Sequence, residues 1–463
     1  MLMKLFSTSG IRRKVADLPP EFVVKVGLAI SESLCNDKNS KVLLGRDARL
    51  SGPQLEHAIS AGLLAGGCSV EHLGIVPTPA LAYHTYKLKA NAGVMLTASH
   101  NPPEYNGIKV FDKTGMGLSP EDEMKIEKAY FAELKPVSWE KIGNDHQNYG
   151  AELYHKMLLD AGGAIDDKYF DAVIADPGGG AGCQVINETY NELGLNLVMI
   201  NALFDPFFSA RLSEPVPKNL TELISLVQKR AKSKSERVIG LAYDGDADRC
   251  VAIDEKGRYV PQDVLIALYS QYVVEQNNNK GLIITHIDAS MLIERLVGKA
   301  GGIVKRTKVG DVAIGNMVAK EKALFGGEPC GAWIHPKQHL CPDGPLTGLK
   351  ILAWIAERGP LYKLVDEVHD FPVQRTIIAC DNELKNEVMQ KIDETISTKN
   401  KIKEILKIDG LRITFEDDSW VLIRPSGTEP IIRITSQATT KEDVESQLEY
   451  YSQVIKKVIK QLK

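Results

Sequence analysis

The sequence predicts an α/β fold: three related mixed α/β domains and a C-terminal α+β domain with an antiparallel sheet, set around a central cleft. Three observations predict it. A strand–helix–strand–helix–strand–loop pattern occurs three times, as related α/β units do when they repeat. Each repeat delivers a polar loop at the carboxyl end of a strand, where open α/β sheets place their ligands. After residue 369 the pattern changes to short strands around a helix, closed by a long amphipathic helix. The expected domains are 1–150, 151–253, 254–369 and 370–463.

In the first repeat, Lys41-Val-Leu-Leu44 is a strand ending in Gly45-Arg46-Asp47. A helix is expected from a Ser51 cap, with Leu55, Ile59 and Leu63 on one face and a stop at Gly66-Gly67. A strand near Val70 to Ile75 and a helix near 79 to 88 follow. The apolar run Ala92-Gly-Val-Met-Leu96 reads as a buried strand. It leads into Thr97-Ala-Ser-His-Asn-Pro-Pro-Glu-Tyr-Asn-Gly-Ile-Lys109. Prolines at 102 and 103 bar a helix there, because proline lacks an N–H and restricts the residue before it. Ser99 is therefore expected on a tight loop at a strand end. Asn106-Gly107 predicts a second turn that brings Lys109 back toward the serine.

The second repeat has strands at Ala172–Ala175 and Leu197–Ile200, with Val185, Ile186, Tyr190 and Leu193 marking a helix closed by Gly194. A helix near 219 to 231 precedes Val238-Ile-Gly-Leu-Ala242, which delivers an acidic loop. In the third, Leu282–Thr285 and Gly302–Val304 are strands around a helix carrying Leu292, Ile293, Leu296 and Val297. A helix near 311 to 321 then precedes Ala323-Leu-Phe325, which delivers Gly326-Gly-Glu-Pro-Cys-Gly331. The tail has strands near 372–379, 411–415, 420–424 and 431–435, a helix near 382–396 and a surface turn at Thr398-Lys-Asn-Lys401. Its last helix places Val444, Leu448, Tyr451, Ile455, Val458, Ile459 and Leu462 on one stripe.

Composition narrows the function. Lys plus Arg is 56 against 60 Asp plus Glu, a net charge of −4, so nothing general draws the chain to nucleic acid or membrane. An anionic ligand must be held by a local basic site. No apolar run approaches the ~20 residues of a membrane span. No signal peptide is visible. Seven cysteines without a C-x-x-C pair suggest reduced thiols and a cytoplasmic protein.

Several loops carry candidate chemistry. Asp244-Gly-Asp-Ala-Asp-Arg249 puts three carboxylates at alternate positions, which a locally extended loop would turn toward one point. Carboxylates so close need a cation, and oxygen ligands favour Mg²⁺ or Ca²⁺. An EF-hand is the rival, with Glu255 at its twelfth position, but Arg249 stands where glycine is required. A plain Asp-Gly hairpin turn is the simpler alternative. In Arg424-Pro-Ser-Gly-Thr-Glu-Pro430, Gly427 lets backbone N–H groups converge, Ser426 and Thr428 add hydroxyls, and Arg424 and Arg433 add charge. That is the make-up of a phosphate nest, or of an ordinary Pro-Ser-Gly turn. Ser7-Thr-Ser-Gly-Ile-Arg-Arg13 offers Arg12, a planar donor suited to phosphate or a plain surface residue. Gly178-Gly-Gly-Ala-Gly182 misses the dinucleotide spacing and reads as a strand–helix turn. Cys330, His335, His339 and Cys341 could bind zinc, but their spacing fits no common finger.

Read together, T-A-S-H-N-P, D-G-D-A-D-R, G-G-E-P-C-G and R-P-S-G-T-E-P, in this order, resemble the α-D-phosphohexomutase family across nearly the whole chain. The resemblance implies that Ser99 is a phosphoserine and that Asp244, Asp246 and Asp248 hold Mg²⁺ together with it. It implies that Arg12, Lys109 and Arg249 serve the transfer, Lys109 being a candidate acid or base. Glu328 would read sugar hydroxyls, and Arg424, Ser426, Gly427, Thr428 and Arg433 would grip the phosphate that is not transferred. Phosphoryl transfer needs this kind of positioning and charge neutralisation. The implied partners are a hexose or hexosamine phosphate, Mg²⁺ and a sugar 1,6-bisphosphate activator, acting on a monomer or homodimer. The sugar loop departs from the family's Gly-Glu-x-Ser-Gly-His, with Cys330 for serine and Ala332 for histidine. Arg306-Thr-Lys-Val-Gly-Asp311 resembles the corresponding stretch of phosphoglucosamine mutases, which favours glucosamine phosphate over mannose or glucose phosphate. A phosphatase and a non-catalytic sugar-phosphate sensor are the other classes. Intact Ser99 and three intact aspartates argue against the sensor.

Overall fold

The computed structural model describes residues 5–6, 10–35, 40–148, 150–163, 165–166, 168–233, 237–396, 402–426 and 429–462. The expected turn at 398–401 lies outside them, as do Gly427 and Thr428. The chain forms two compact units, one of Met1–Gln262 and Gly310–Val365, the other of Asp263–Val309 and Asp366–Lys463. The stretch 254–369 contributes to both.

The first unit opens with a six-stranded sheet. Its strands are β1 (Ile11–Lys14), β2 (Lys41–Arg46), β3 (Ser69–Ile75), β4 (Ala92–Leu96), β5 (Tyr105–Asp112) and β6 (Asp145–Gln147), in the order β1-β5-β4-β2-β3-β6. β2 runs parallel to β3 and β4, while β5 is antiparallel to β4. Every residue of β4 is buried, as a continuous apolar run requires of a strand covered on both faces. The helix Pro20–Leu34 starts on proline, turns Val23, Val26 and Ile30 inward and packs on the helix Gly52–Ala65. Gly27 and Gly62 permit that approach, since a methyl group on either would sit on the other helix's backbone.

Three expectations are corrected here. Ser51 stands at the helix N-cap, but its side chain caps nothing; its hydroxyl accepts from Asn106 Nδ2 at 2.8 Å. Asn106-Gly107 is not a turn but lies inside β5, where Gly107 lets the backbone of β1 come close. Lys109 returns to the serine through antiparallel pairing instead, in the register Leu96↔Ile108 and Met95↔Lys109. The cysteines are not all reduced: Cys35, at the end of Pro20–Leu34, forms a disulfide with Cys68 just before β3, and the other five are free.

A second sheet takes β7 (Ala172–Asp176), β8 (Leu197–Met199), β9 (Val238–Tyr243) and β10 (Cys250–Ile253) in the order β10-β9-β7-β8. β7 is parallel to β8 and β9, and β10 returns antiparallel with Tyr243 opposite Cys250. Residues 244–249 are therefore a hairpin loop. The same unit holds the short antiparallel pair Phe325–Gly327 and Trp333–Ile334, then a helix Gly344–Arg358 whose first turn is capped by Asp343.

In the second unit, Leu282–His286 and Ile303–Thr307 pair in parallel. Five antiparallel strands follow in the order Val373–Ala379, Ile431–Gln437, Trp420–Pro425, Leu411–Phe415, Ile402–Leu406. Helices Lys385–Ile396 and Lys441–Leu462 supply Val388, Ile392, Val444, Tyr451 and Ile455 to its core. The strand Ile402–Leu406 is additional to those the sequence predicts; it is a sheet edge with no fully buried residue, so it carries no clean apolar alternation. Among the described residues no helix is long and apolar enough to cross a membrane.

Candidate active site

Ser99 follows β4 in the left-handed region, at φ +52°. A non-glycine residue there costs about 1–2 kcal/mol, so the surroundings must hold it. Arg49 does much of this. It is 1% exposed and donates to the carbonyl oxygens of Ser99 (2.8 Å), Asn101 (2.7 Å), Pro102 (2.6 Å) and Tyr105 (3.0 Å). Its Nε bonds Asp47 at 2.9 Å, and Asp47 accepts from Thr97 Oγ1, which in turn accepts from Ser99 N. Arg49 is absent from the sequence-derived site. Its signal is the polar Gly45-Arg-Asp-Ala-Arg49 at a strand's carboxyl end, where open α/β sheets place their ligands.

The three aspartates converge as expected, their ligand atoms all within 4.8 Å of one another. The reason differs from the sequence argument. The loop is a tight turn with Ala247 at φ +55°, not an extended segment. Ser99 Oγ donates to Asp244 Oδ2 at 2.7 Å. Lys109 Nζ donates to Asp246 Oδ2 at 2.9 Å and Asp248 Oδ2 at 2.7 Å. Thr78 Oγ1 donates to Asp246 Oδ2 at 2.6 Å, and Thr78 N to the Asp246 carbonyl. Arg249 Nε lies 3.9 Å from both Asp244 and Asp248, and Arg12 bonds Asn101 Oδ1 beside Ser99.

Burial, then Asp248 and Asp246, push the Asp244 carboxyl well above its usual range, and burial and Asp246 raise Asp248. Asp246 goes the other way: burial works against it, but Lys109 holds it ionised. Oδ1 of Asp246 and of Asp248 are buried with no hydrogen-bond partner. Oxygen-only ligands, mutual repulsion and two unmet acceptors fit a hard divalent cation of the Mg²⁺ or Ca²⁺ type. His100 Nδ1 lies 3.4 Å from Ser99 Oγ; burial, Arg249 and Arg12 lower its pKa to about 3, so the ring is neutral.

Glu328 and Cys330 belong to the same unit. Glu328 Oε1 accepts from Gly310 N at 2.9 Å, and the Cys330 thiol donates to Oε2 at 3.5 Å. Burial above all pushes that thiol up to about 12. Cys250 N donates to the Gly331 carbonyl, so this loop is fastened directly behind the acidic turn. The zinc alternative is not built. His335 Nε2 pairs with Thr347 Oγ1 and His339 Nε2 with Asp343 Oδ2; the only metal-type cluster among the described residues is the aspartate triad. Glu255 is no EF-hand ligand, because its carboxylate accepts from Leu361 N and Tyr362 N. The glycine run is a strand–helix turn, with Gly178 and Gly179 at positive φ and Ala181 N bonded to the Gly245 carbonyl.

In the second unit, Arg424 and Arg433 face each other in register on neighbouring strands. Like charges directly opposite repel. Here each has a carboxylate, Asp409 on Arg424 at 2.8 Å and Glu429 on Arg433 at 2.7 Å. Ser426 accepts from Glu429 N through its hydroxyl and from Lys385 Nζ through its carbonyl. Two forked cations beside a hydroxyl are suited to a phosphate.

Comparison with known proteins matches most of the chain to one family. Phosphoglucomutase/phosphomannomutase alpha/beta/alpha domain I matches residues 3–136, domain II 149–257, domain III 261–371 and the C-terminal domain 378–451. The chain is 41% identical over 450 residues to the phosphoglucosamine mutase of Methanococcus maripaludis, spanning 96% of this chain and 97% of the relative. Its fold is similar to that of a phosphoglucomutase/phosphomannomutase family protein from Burkholderia thailandensis, with a TM-score of 0.86, 23% identity and coverage of 99% and 98%. It is also similar to an Aspergillus fumigatus N-acetylphosphoglucosamine mutase solved with GlcNAc-6P and magnesium, with a TM-score of 0.64, 16% identity and coverage of 99% and 96%.

Proposed function

The chain belongs to the α-D-phosphohexomutase family, and from that premise we propose that it is a phosphoglucosamine mutase, an isomerase that moves a phosphoryl group between the 6- and 1-positions of glucosamine phosphate. One observation carries the reading: the Ser99 hydroxyl rests 2.7 Å from Asp244 within a buried carboxylate triad that also holds Lys109.

The proposed cycle starts from Ser99 carrying a phosphoryl group. The bond from phosphorus to Ser99 Oγ breaks as a bond to the sugar hydroxyl forms, and the proton which that hydroxyl gives up ends on Ser99 Oγ, restoring the free serine hydroxyl. The resulting 1,6-bisphosphate returns its other phosphoryl group to Ser99, so nothing is consumed. A sugar 1,6-bisphosphate is the activator that first loads the serine. Arg12, Lys109 and Arg249 neutralise charge on the moving group. Glu328 and Cys330 face the sugar ring, and Arg424, Ser426, Gly427, Thr428 and Arg433 hold the phosphate that stays. Asp244, Asp246 and Asp248 would hold Mg²⁺ with the seryl phosphate, and the metal when bound supplies neutralisation and orientation at the reacting oxygens. A cytoplasmic location is part of the same proposal.

The test is product analysis with glucosamine, glucose and mannose 6-phosphates, Mg²⁺ and a sugar 1,6-bisphosphate. The expected product is the sugar 1-phosphate, fastest for glucosamine. Release of inorganic phosphate without isomerised sugar would make the protein a phosphatase. Intact-mass measurement should find one phosphate on part of the purified protein, lost in Ser99→Ala. Phosphate persisting on that variant would remove Ser99 from the mechanism.

A further inference from the structure

Ser213 lies in the segment between β8 and the helix Thr221–Ser233 and is 1% exposed. Its hydroxyl donates to the Ser99 carbonyl oxygen at 2.6 Å and accepts from Gly245 N at 3.0 Å. One oxygen atom thus ties the strained serine turn to the acidic turn. The Ser99 carbonyl also takes Arg49 Nη2 at 2.8 Å, so both of its acceptor positions are filled, one by each neighbour. The approach is close. A methyl group at residue 245 would meet Ser213 Oγ at 2.6 Å and the Ser99 carbonyl at 2.8 Å, which is why glycine stands there.

The segment holding Ser213 is itself fixed. Arg211, 8% exposed, bonds Asp176 Oδ2 at 2.8 Å and the Tyr243 carbonyl at 2.7 Å, and folds back onto the carbonyls of Leu212 and Ser213. Phe208 lies under the Arg49 guanidinium, 5.1 Å from its ring centre. The hydroxyl of Ser213 is therefore held on β7 and β9, outside both of the turns it joins.

We propose that Ser213 is a positioning residue for phosphoryl transfer. Its hydroxyl sets the Ser99 turn against the acidic turn, so the short separation of Ser99 Oγ from Asp244 is fixed before substrate arrives. Removing it leaves the Gly245 N–H buried without its acceptor and takes one of two donors from the Ser99 carbonyl. The two turns then keep the Ser99–Asp244 and Lys109 contacts but lose the buried link behind them, so their separation is held less tightly. A misplacement of about 1 Å at reacting atoms costs on the order of 10²-fold in rate, while sugar contacts elsewhere stay as they were.

The inference rests on the phosphoryl-transfer reading, and the experiment separates the two failures. Ser213→Ala and Ser213→Thr are compared with the parent for kcat, KM, Tm and amide hydrogen exchange over residues 97–101 and 244–247. In Ser213→Ala, kcat should fall about 10- to 100-fold with KM changed by less than about threefold, the signature of an interaction that matters for the chemical step. Tm should change by only about 3 °C, and exchange should quicken in both turns. Ser213→Thr, which keeps the hydroxyl, should recover toward the parent. A kcat within about twofold of the parent, or faster exchange in one turn only, overturns the proposal. So does a fall in kcat that merely tracks a large fall in Tm. If the parent isomerises no sugar phosphate, the functional reading fails, and exchange in the two turns still decides whether Ser213 couples them.

Discussion

Lys109 and Asp246 form a buried ion pair, Nζ to Oδ2 at 2.9 Å, inside the carboxylate triad. Burial works to lower the pKa of this lysine, but Asp246 and Asp248 outweigh it and raise the pKa. Paired in this way, Lys109 is held as an ammonium, a proton donor. It would also compete with a metal ion held at the same two carboxylates.

Lys109→Met should consequently separate metal binding from turnover. Loss of the charge beside the moving phosphoryl group should lower kcat by about 100-fold or more. Mg²⁺ affinity, read by calorimetry, should hold or rise, because a competing cation is gone. Breaking a buried pair leaves unmatched charge, so the metal-free protein should lose about 3 kcal/mol in urea unfolding and regain it with Mg²⁺. Normal turnover in this variant would take the lysine out of the reaction.

His72 gives a pH dependence away from the catalytic groups. Its Nδ1 lies 2.8 Å from Glu56 Oε1 and its Nε2 2.9 Å from Asp145 Oδ1. The Glu56 hydrogen bond raises the histidine above its ordinary 6.5, despite burial. A group with a raised folded-state pKa stabilises fully below its unfolded value and loses that contribution as pH climbs through the folded one. Glu56 is held below its ordinary 4.5 by His72 and Arg46 in spite of burial, so it titrates in acid, outside this window. Unfolding free energy should fall as pH rises above about 6.5, and the difference between parent and His72→Gln should shrink over the same range. A difference independent of pH would mean the ion pair adds nothing.

Arg424→Lys keeps a charge and loses the planar fork opposite Arg433. Substrate KM should rise about tenfold, with kcat and Mg²⁺ affinity nearly unchanged, because binding is weakened equally in ground and transition states. An unaltered KM for both 1- and 6-phosphates would rule these arginines out as the phosphate clamp.

What the sequence made legible was local. Apolar runs such as Ala92–Leu96, and residue spacing such as Asp244-Gly-Asp-Ala-Asp248, place strands and converging carboxylates, because both signals lie in adjacent residues. What it hid was long-range. Arg49 reaches Tyr105, Thr78 reaches Asp246, and Ser213 reaches Ser99. Each is an ordinary polar residue until the sheets bring distant strand ends together. Asn106-Gly107 misled for a related reason. That pair usually turns a chain, but here the glycine is needed for the approach of β1, a constraint invisible without the partner strand. The disulfide escaped a count of cysteines because Cys35 and Cys68 are 33 residues apart and meet only when the helix Pro20–Leu34 packs on its neighbour.

Cys330 is where the family pattern breaks, and its contacts sharpen the consequence. The thiol donates to Glu328 Oε2 at 3.5 Å, while Oε1 is taken by Gly310 N. With its pKa pushed up to about 12, chiefly by burial, Cys330 is a neutral thiol at pH 7. A serine hydroxyl donates and accepts good hydrogen bonds; a thiol does either weakly. His335 does not replace the missing donor by way of Nε2, which is paired with Thr347 inside the protein. Discrimination between sugar epimers should then rest mainly on Glu328, and the parent should accept several hexose phosphates. Cys330→Ser should restore a contact worth about 0.5–1.5 kcal/mol, up to about tenfold in selectivity, and narrow the set toward one sugar. The measurement is kcat/KM for glucosamine, glucose and mannose phosphates on both proteins. Equal selectivity ratios would show that residue 330 packs as a small apolar group and reads nothing.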